Sequence, residues 1–534
     1  MDIAIPVFGG LGLFLYGMAM MGDGLQKTAG DRLRRLIEVL TNNRLMGVLI
    51  GTVVTMIIQS SSATTVMVVG FVNAGLMTLP QATGVILGAN IGTTITAQLI
   101  AFNITKYAPV FVGIGVVIWL SSKKQKLKDI SDVLIGVGVL FIGMGMMSSG
   151  LKPLAEIPAF TEILARLQNP VLGLVVGVIM TTIIQSSSAS IGLLQAVAGE
   201  GLVNMGMAFP ILLGANIGTT TTALISSIGA NRMAKRAAAI HFVFNIFGAI
   251  IFMLGFQTFI VDFVIKLSPG DVMRQIANAH TFYNFIIVAI FLPFTKFLVM
   301  AAEKVLPGKD EIDVKEAIYL DSRILETPSI ALGQARKEVI RMGSLVSENL
   351  KLSREILVND DKNSIETVLS TEERIDMIEK EITNYLVLLS GKSLTEEQHA
   401  AINNYLYTIN DIERIGDHVE NITELAEYKI SHGLAFSQEA KDGLNNLFDK
   451  AEKVFATAME SFVTEDETLA REVLVLEDEI DEIEEKNREE HMDRLSRMEC
   501  LTEPGVLFLD SLSNLERVSD HSANIAMYVL DKFK

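Results

Sequence analysis

The sequence predicts an all-α protein with two parts. The first is a polytopic membrane domain of two inverted repeats with re-entrant helical hairpins, and the second is a soluble domain of two three-helix bundles. Residues 1–306 are almost continuously apolar and have a net charge of +7, whereas the rest of the 534-residue chain has a net charge of −25 and is charged throughout. This shift in composition places a membrane domain before a soluble one.

An internal duplication organises the membrane domain. Three segments recur without gaps at an offset of 126 residues: 10–25 at 136–151, Gln59–Ser62 at Gln185–Ser188, and Gly88–Thr94 at Gly214–Thr220. The second and third pairs are identical in sequence, reading Gln-Ser-Ser-Ser and Gly-Ala-Asn-Ile-Gly-Thr-Thr. Three segments with one common offset indicate a true repeat.

Seven segments are apolar and long enough to cross a bilayer, which requires about 20 residues. They lie near 4–22, 82–102, 106–122, 130–149, 207–228, 237–259 and 280–302. Two further apolar stretches, 45–79 and 170–204, are interrupted by the Gln-Ser-Ser-Ser tetrads, and we expect them to form re-entrant hairpins. Non-helical backbone at membrane depth is tolerated only where it is buried or lines a wet cavity.

The domain boundaries and the orientation follow from these segments. We expect a membrane domain over 1–306 (first repeat about 4–122, second about 130–259, extra helix 280–302), a linker over 307–326, and a soluble domain over 327–534. Basic residues cluster at 27–44, 123–128 and 232–236, which predicts that these loops are cytoplasmic. The N-terminus is then outside and the soluble domain is cytoplasmic. Each repeat crosses three times, so the second repeat is inverted, as in secondary transporters.

The tetrads and the Gly-Ala-Asn segments predict a site for ions. Where a helix restarts after a break, its first N–H groups and its positive dipole end form an anion site without lysine or arginine. Hydroxyl and carbonyl oxygens at the same break suit a hard cation such as Na⁺. A multiply charged oxyanion could not enter a low-dielectric site unpaired, so we expect an anion carried with cations. Isolated Ser, Thr, Asn and Gln also hold membrane helices together, but two identical copies in register favour a site.

Two further features of this domain have more than one interpretation. The glycines of the repeated segments (Gly88, Gly92, Gly214 and Gly218) are expected to allow close helix packing. His241 and Asn245 recur in spacing as His280 and Asn284. This pattern suits a proton relay or a substrate contact, but the position of both pairs near segment ends favours an interfacial or structural role.

The doubled tetrad, each copy followed by its Gly-Ala-Asn segment, resembles the type II sodium-dependent phosphate cotransporter family in its bacterial form. The resemblance covers essentially all of residues 1–306. It implies symport of Na⁺ and inorganic phosphate by alternating access, in the inner (plasma) membrane of a bacterium. Carried over residue by residue, phosphate would contact Gln59, Ser60, Ser61, Ser62, Gln185, Ser186, Ser187 and Ser188. Sodium would be held among Ser61, Ser62, Thr64, Asn90, Thr93, Thr94, Ser187, Ser188, Asn216, Thr219 and Thr220.

The soluble region is predicted to be helical, with breaks near 359–364, 391–396, 431–436, 464–467 and 498–504. It is also duplicated, because residues 413–422 match 516–525 at an offset of 103. Within each copy, carboxylates four residues apart share one helix face. A divalent or transition metal would suit such a cluster, and a solvated charged face is the alternative. The candidate ligands are Glu372, Asp376, Glu413, Asp417, Glu477, Asp481, Glu516 and Asp520.

These acidic motifs resemble the PhoU family, over about 327–534. The resemblance implies two three-helix bundles, a metal-binding role for the acidic motifs and a part in phosphate regulation, with a homodimer or a regulatory protein as partner. A membrane-anchored phosphate or metal sensor without transport stays an alternative, as does a carrier that exports phosphate or takes another oxyanion. The sequence contains no P-loop and no recognisable nucleophile–base pair, so neither ATP-driven pumping nor an enzyme is predicted, and no nucleic-acid partner is expected.

Overall fold

The computed structural model describes residues 3–29, 43–102, 104–308 and 317–531, and the chain divides into two compact units. The first unit contains residues 1–313, 321–330 and 393–395, and the second contains 314–320, 331–392 and 396–534. Within the described ranges every long element is a helix and no strand is present. The all-α prediction is therefore confirmed.

The first unit contains the apolar helices. Within its described ranges they are α1 (Ala4–Ala29), α2 (Arg44–Ile58), α3 (Ser61–Asn73), α4 (Leu79–Gly92), α5 (Thr94–Ala101), α6 (Ala108–Ser121), α7 (Gln125–Leu151), α8 (Pro158–Ala165), α9 (Pro170–Ile184), α10 (Ser187–Gly199), α11 (Met205–Ser226), α12 (Arg232–Ile251), α13 (Gln257–Leu267), α14 (Val272–Phe291) and α15 (Thr295–Val305). Five spans in these ranges are long and apolar enough to cross a membrane, or six if the bent pair α14–α15 counts as one. The first unit is thus a multi-pass membrane domain.

The chain reverses at each tetrad, as predicted for the hairpins. In the first copy, the hydroxyl of Thr55 on α2 donates to the hydroxyl of Thr64 on α3 at 3.0 Å. In one continuous helix, residues nine apart would be separated by about 13.5 Å along the axis. Gln59 ends α2 in the left-handed region, with φ 59°, and Ser60 is extended and caps α3. This left-handed residue followed by an N-cap is what turns the chain back.

Glycines bring the first arm of each hairpin against the Gly-Ala-Asn helix of the same repeat. A Cβ atom on Gly88 of α4 would lie 2.1 Å from the carbonyl oxygen of Val48 on α2. A Cβ on Gly214 of α11 would lie 2.0 Å from the carbonyl oxygen of Leu174 on α9. Only glycine permits backbones to approach this closely, so the packing role expected for these glycines is confirmed.

The last predicted span, 280–302, differs from the structure. It is divided between α14 and α15, whose axes are bent by 84°. The break contains Pro293, which has no N–H to donate and clashes with the carbonyl of the preceding turn. Because this proline lies in an otherwise apolar run, hydropathy alone predicted one continuous span.

Part of the predicted linker is folded into the first unit. Asp321 is 3% exposed and accepts a hydrogen bond at 2.7 Å from the side-chain amide of Asn73, at the end of α3. Arg323 pairs with Asp321 at 2.8 Å and donates to the carbonyl oxygen of Ser226 at the end of α11. Residues 321–326 of the predicted linker therefore belong to the first unit and are not part of a free linker.

The six helices predicted for the soluble region are all present. They are α16 (Pro328–Asn359), α17 (Ile365–Ser390), α18 (Glu396–Ser431), α19 (Gln438–Thr464), α20 (Glu467–Ser496) and α21 (Thr502–Asp531). The last three pack against one another as one bundle, and α18 packs against α21 and so joins the first bundle to the second. The breaks between them coincide with the predicted breaks.

Candidate functional site

Each tetrad leaves unpaired backbone donors at a helix N-terminus. The Ser60 hydroxyl oxygen accepts from the N–H of Ala63 at 3.1 Å, and the Ser186 hydroxyl oxygen accepts from the N–H of Ala189 at 3.2 Å. The preceding N–H groups, those of 61–62 and 187–188, have no acceptor among the described residues. Each helix start therefore offers free N–H donors together with the positive end of its dipole, which is an arrangement that binds anions.

Several of the threonine hydroxyls predicted to bind sodium donate their protons to carbonyl oxygens of their own helices. Thr93 and Thr219 donate to the carbonyl oxygens of Ala89 and Ala215, at 3.1 and 2.9 Å. Because each proton is bonded to the helix, the oxygen lone pairs remain available to a hard cation. The lone pairs of Thr94 and Thr220 are also available, because each hydroxyl donates to the carbonyl three residues earlier. The hydroxyl of Thr64 accepts a hydrogen bond from that of Thr55. The following predicted ligands are buried: Ser61, Thr64, Asn90, Thr93, Thr94, Ser187, Ser188, Asn216, Thr219 and Thr220.

The helices of the two repeats are packed crosswise. The second arm of the first hairpin, α3, contacts α11, which is the Gly-Ala-Asn helix of the second repeat. The second arm of the second hairpin, α10, contacts α5, which follows the Gly-Ala-Asn segment of the first repeat. The side chain of Gln195 on α10 donates to the carbonyl oxygen of Ala97 on α5 at 3.1 Å. Each hairpin therefore packs its second arm against the other repeat.

Sequence reasoning missed one side chain at the first tetrad. Thr96 on α5 donates to the side-chain oxygen of Gln59 at 2.8 Å. Its repeat counterpart is Thr222, at the same offset of 126 residues as the tetrads. A search for every threonine conserved between the two copies would have found this pair.

The two histidines of the repeated spacing pattern are buried, and their expected position near segment ends is wrong. His241 lies on α12 and His280 on α14, and both are fully buried. Nε2 of His280 lies 3.2 Å from the side-chain oxygen of Asn216. Neither ring nitrogen of His241 has a hydrogen-bond partner in the described part of the chain.

Two acidic triplets form in the second unit. The carboxylates of Glu372, Asp376 and Asp417 come within 4.8 Å of one another, as do those of Glu477, Asp481 and Asp520. The other two predicted ligands, Glu413 and Glu516, lie outside these triplets, and each has an arginine neighbour in sequence 3.7 Å away. The triplets supply the oxygen ligands that hard divalent cations take.

The first triplet is the more buried of the two. Glu372 is 5% exposed, and neither of its carboxylate oxygens has a hydrogen-bond partner among the described residues. Burial, reinforced by the nearby carboxylates of Asp376 and Asp417, raises the pKa of Glu372 to about 8. The pKa of Glu477 in the second triplet is also raised, again chiefly by burial. Unpaired carboxylates that resist ionisation fit a site that a cation would complete.

The histidines next to the acidic motifs serve a different contact. Nδ1 of His521 on α21 lies 2.7 Å from the carboxylate of Asp411 on α18. Nδ1 of His418 on α18 instead lies 2.9 Å from the side-chain oxygen of Asn514 on α21. These reciprocal contacts hold the two bundles together where α18 and α21 pack.

Comparison with known proteins identifies both units. The family model for the Na⁺/Pi-cotransporter matches residues 13–149 and 142–267, and the PhoU domain model matches 339–426 and 444–529. Over 524 residues, 97% of this chain and 96% of the relative, the sequence is 24% identical to a Salmonella typhimurium protein named "Putative inorganic phosphate export protein YjbB".

Two further relatives match shorter parts of the chain. The sequence is 32% identical over 297 residues to the uncharacterised protein YqeW of Bacillus subtilis, which covers 55% of this chain and 96% of the relative. It is 38% identical over 87 residues to the sodium-dependent phosphate transport protein 2C of Rattus norvegicus, covering 16% of this chain and 14% of the relative. The chain therefore belongs to the Na⁺/Pi-cotransporter family, and it joins the transport domain of that family to a PhoU domain.

Proposed function

We propose that the protein carries inorganic phosphate across the bacterial inner membrane together with Na⁺, by alternating access of its two repeats. The observation that supports this most directly is the pair of helix starts at 61–62 and 187–188, whose N–H groups have no acceptor in the described chain. Phosphate would bind to the N–H groups and side chains of the two tetrads. Sodium would be held by oxygens of the neighbouring hydroxyls and of Asn90, and its charge would offset that of the phosphate in a site without basic side chains.

The direction of transport has two candidates. Symport down an inward Na⁺ gradient would bring phosphate into the cell, whereas the Salmonella relative is named for export and matches this chain over nearly its full length. A carrier is reversible, so the same site serves both directions, and the ion gradients decide the net flux. A sensor without transport is the remaining alternative, in which phosphate binds but does not cross.

Flux measurements with a matched pair of variants test the proposal. Radiolabelled phosphate would be followed in proteoliposomes with an Na⁺ gradient or an equal K⁺ gradient, directed inward in one series and outward in another. In Ser188→Asp, a carboxylate would take up the free N–H groups of α10 and exclude phosphate. We expect flux that depends on Na⁺ in the native protein, no flux in Ser188→Asp, and substantial flux in the uncharged, similarly sized Ser188→Asn.

The outcomes separate the alternatives. Flux that is equal in the Na⁺ and K⁺ gradients would rule out sodium coupling. The absence of flux in all four gradients, with phosphate still bound by the purified protein, would leave a sensor. Equal flux in Ser188→Asp and Ser188→Asn would remove the helix start from the phosphate site.

We further propose that the PhoU-like unit holds divalent cations in its two acidic triplets and adjusts transport in response to phosphate or metal. Glu372→Gln removes a charged ligand from the first triplet, and Asp481→Asn removes one from the second. In calorimetric titrations of the full chain with Mn²⁺, we expect two sites in the native protein and one in each variant. Unchanged binding in both variants would exclude these triplets as the metal sites.

A further inference from the structure

Asn216 differs from the other buried asparagines of the membrane domain in the contact of its side chain. Asn90, Asn245 and Asn284 each donate the side-chain amino group to the backbone carbonyl four residues earlier, at 2.9 Å in all three cases. Asn216 makes no such bond within the described chain. Its side-chain oxygen instead faces Nε2 of His280 at 3.2 Å.

This contact fixes which end of the carboxamide remains available. An asparagine oxygen can only accept, so the imidazole of His280 must donate from Nε2. The free end of Asn216 is then its amino group, which is buried and has no acceptor among the described residues. A buried donor without an acceptor costs free energy, and in a native protein it commonly marks the place of a ligand or water.

The position of this amino group is suited to the transported anion. Asn216 lies on α11, which packs against α3 and α10, the two helices that begin at the tetrads. His280 lies on α14, which also packs against α10. Asn216 is 4% exposed and His280 is 0% exposed, so their contact is shielded from water. An amino group can donate to an oxyanion but offers no lone pair to a cation.

We propose that His280 is a positioning residue that turns the amino group of Asn216 toward the phosphate. The repeat-related asparagines then serve different ions. Asn90 bonds its amino group to the carbonyl of Ile86 and keeps its oxygen for Na⁺, whereas Asn216 keeps its amino group for phosphate. This assignment rests on the proposed function, and it replaces the sodium role that the duplication alone predicts for Asn216.

Two substitutions of His280 test the assignment in the proteoliposome assay. His280→Phe keeps a ring of similar size but removes the donor, whereas His280→Gln keeps an N–H donor. His280→Phe removes the hydrogen bond that orients Asn216 toward the charged phosphate. We expect this loss to raise the KM for inorganic phosphate about tenfold. The Na⁺ concentration for half-maximal flux should stay unchanged, and His280→Gln should recover most of the phosphate affinity.

His241→Phe is the matched control, because His241 is equally buried in the same spacing pattern and has no hydrogen-bond partner in the described chain. We expect it to leave the KM for phosphate unchanged. Titration of the detergent-purified variants with inorganic phosphate gives the same comparison without flux.

Two results would contradict the assignment, and a third would contradict the proposed coupling alone. A higher Na⁺ requirement in His280→Phe, with phosphate affinity unchanged, would make Asn216 a sodium ligand. A lower maximal rate in His280→Phe, His280→Gln and His241→Phe alike, with both affinities unchanged, would give His280 a structural role only. Phosphate flux that ignores Na⁺ in the native protein would overturn the proposed coupling, while the phosphate affinities would still test His280.

Discussion

The two hairpins have the same backbone but different side-chain contacts. The turn residues Gln59 and Gln185 have φ values of 59° and 57°, and the serines after them have nearly equal dihedral angles as well. The first hairpin is held twice by side chains, once between Thr55 and Thr64 and once between Thr96 and Gln59.

Neither bond is repeated in the second hairpin. Thr222, the counterpart of Thr96, donates to the carbonyl oxygen of Thr219 in its own helix. The hydroxyl of Thr181, the counterpart of Thr55, is buried and has no partner within the described ranges. Gln185 is exposed, whereas Gln59 is half-buried. The duplication therefore dictates the fold of each hairpin, and the contacts at its tip depend on the conformation of the whole domain.

The largest expected effect concerns the backbone that both hairpins share. A Cβ in Gly88→Ala or Gly214→Ala would lie about 2 Å from a carbonyl oxygen of the neighbouring helix, where no side-chain rotation can relieve the clash. Overpacking of this kind costs about 1–3 kcal/mol or more. We expect both variants to lose most of their folded yield and thermal stability in detergent, measured by size-exclusion chromatography after heating.

Gly113→Ala on α6 is the control, because a Cβ there meets nothing within 4 Å. If only one of Gly88→Ala and Gly214→Ala were unstable, the two hairpins would not share one packing scheme.

The features that the two hairpins share are also the features that the sequence could predict. The position of each turn follows from a polar tetrad inside an apolar run, and close packing follows from the glycines of the repeated segments. In the second unit, six of the eight carboxylates predicted as metal ligands from their helical spacing lie in the two triplets. These features depend on local pattern, which a sequence contains in full.

The contacts that differ between the copies were beyond sequence reasoning. Thr96 reaches Gln59 only because α5 packs beside the first tetrad, and the identical residue types in the second repeat do not meet. The pairing of His280 with Asn216 joins residues 64 positions apart on different helices. Such contacts depend on how helices are arranged in space, so two identical motifs can have different partners.

A smaller effect is expected for the rate at which a water-soluble thiol reagent reaches the tips of the two hairpins. A polar side chain cannot face hydrocarbon without a cost, so the exposed Gln185 must face water. After replacement of the single native cysteine by Cys500→Ser, a Gln185→Cys variant should react several-fold faster than Gln59→Cys with a charged thiol reagent in membranes. Equal rates at the two positions would mean that both tips are equally open, and the difference in exposure would not describe the protein in its membrane.

The smallest effect distinguishes the two threonines inside the hairpins. Thr55→Val removes the hydroxyl that donates to Thr64, and loss of a typical buried hydrogen bond costs about 1 kcal/mol. Thr181→Val replaces a buried hydroxyl without a partner by a methyl group of similar size, which should be neutral or stabilising. We therefore expect thermal unfolding in detergent to start at a lower temperature for Thr55→Val and at an unchanged or higher temperature for Thr181→Val. Equal losses in both variants would show that the second hairpin makes its own hydroxyl bond in solution, and the asymmetry between the hairpins would then not apply to the dominant state.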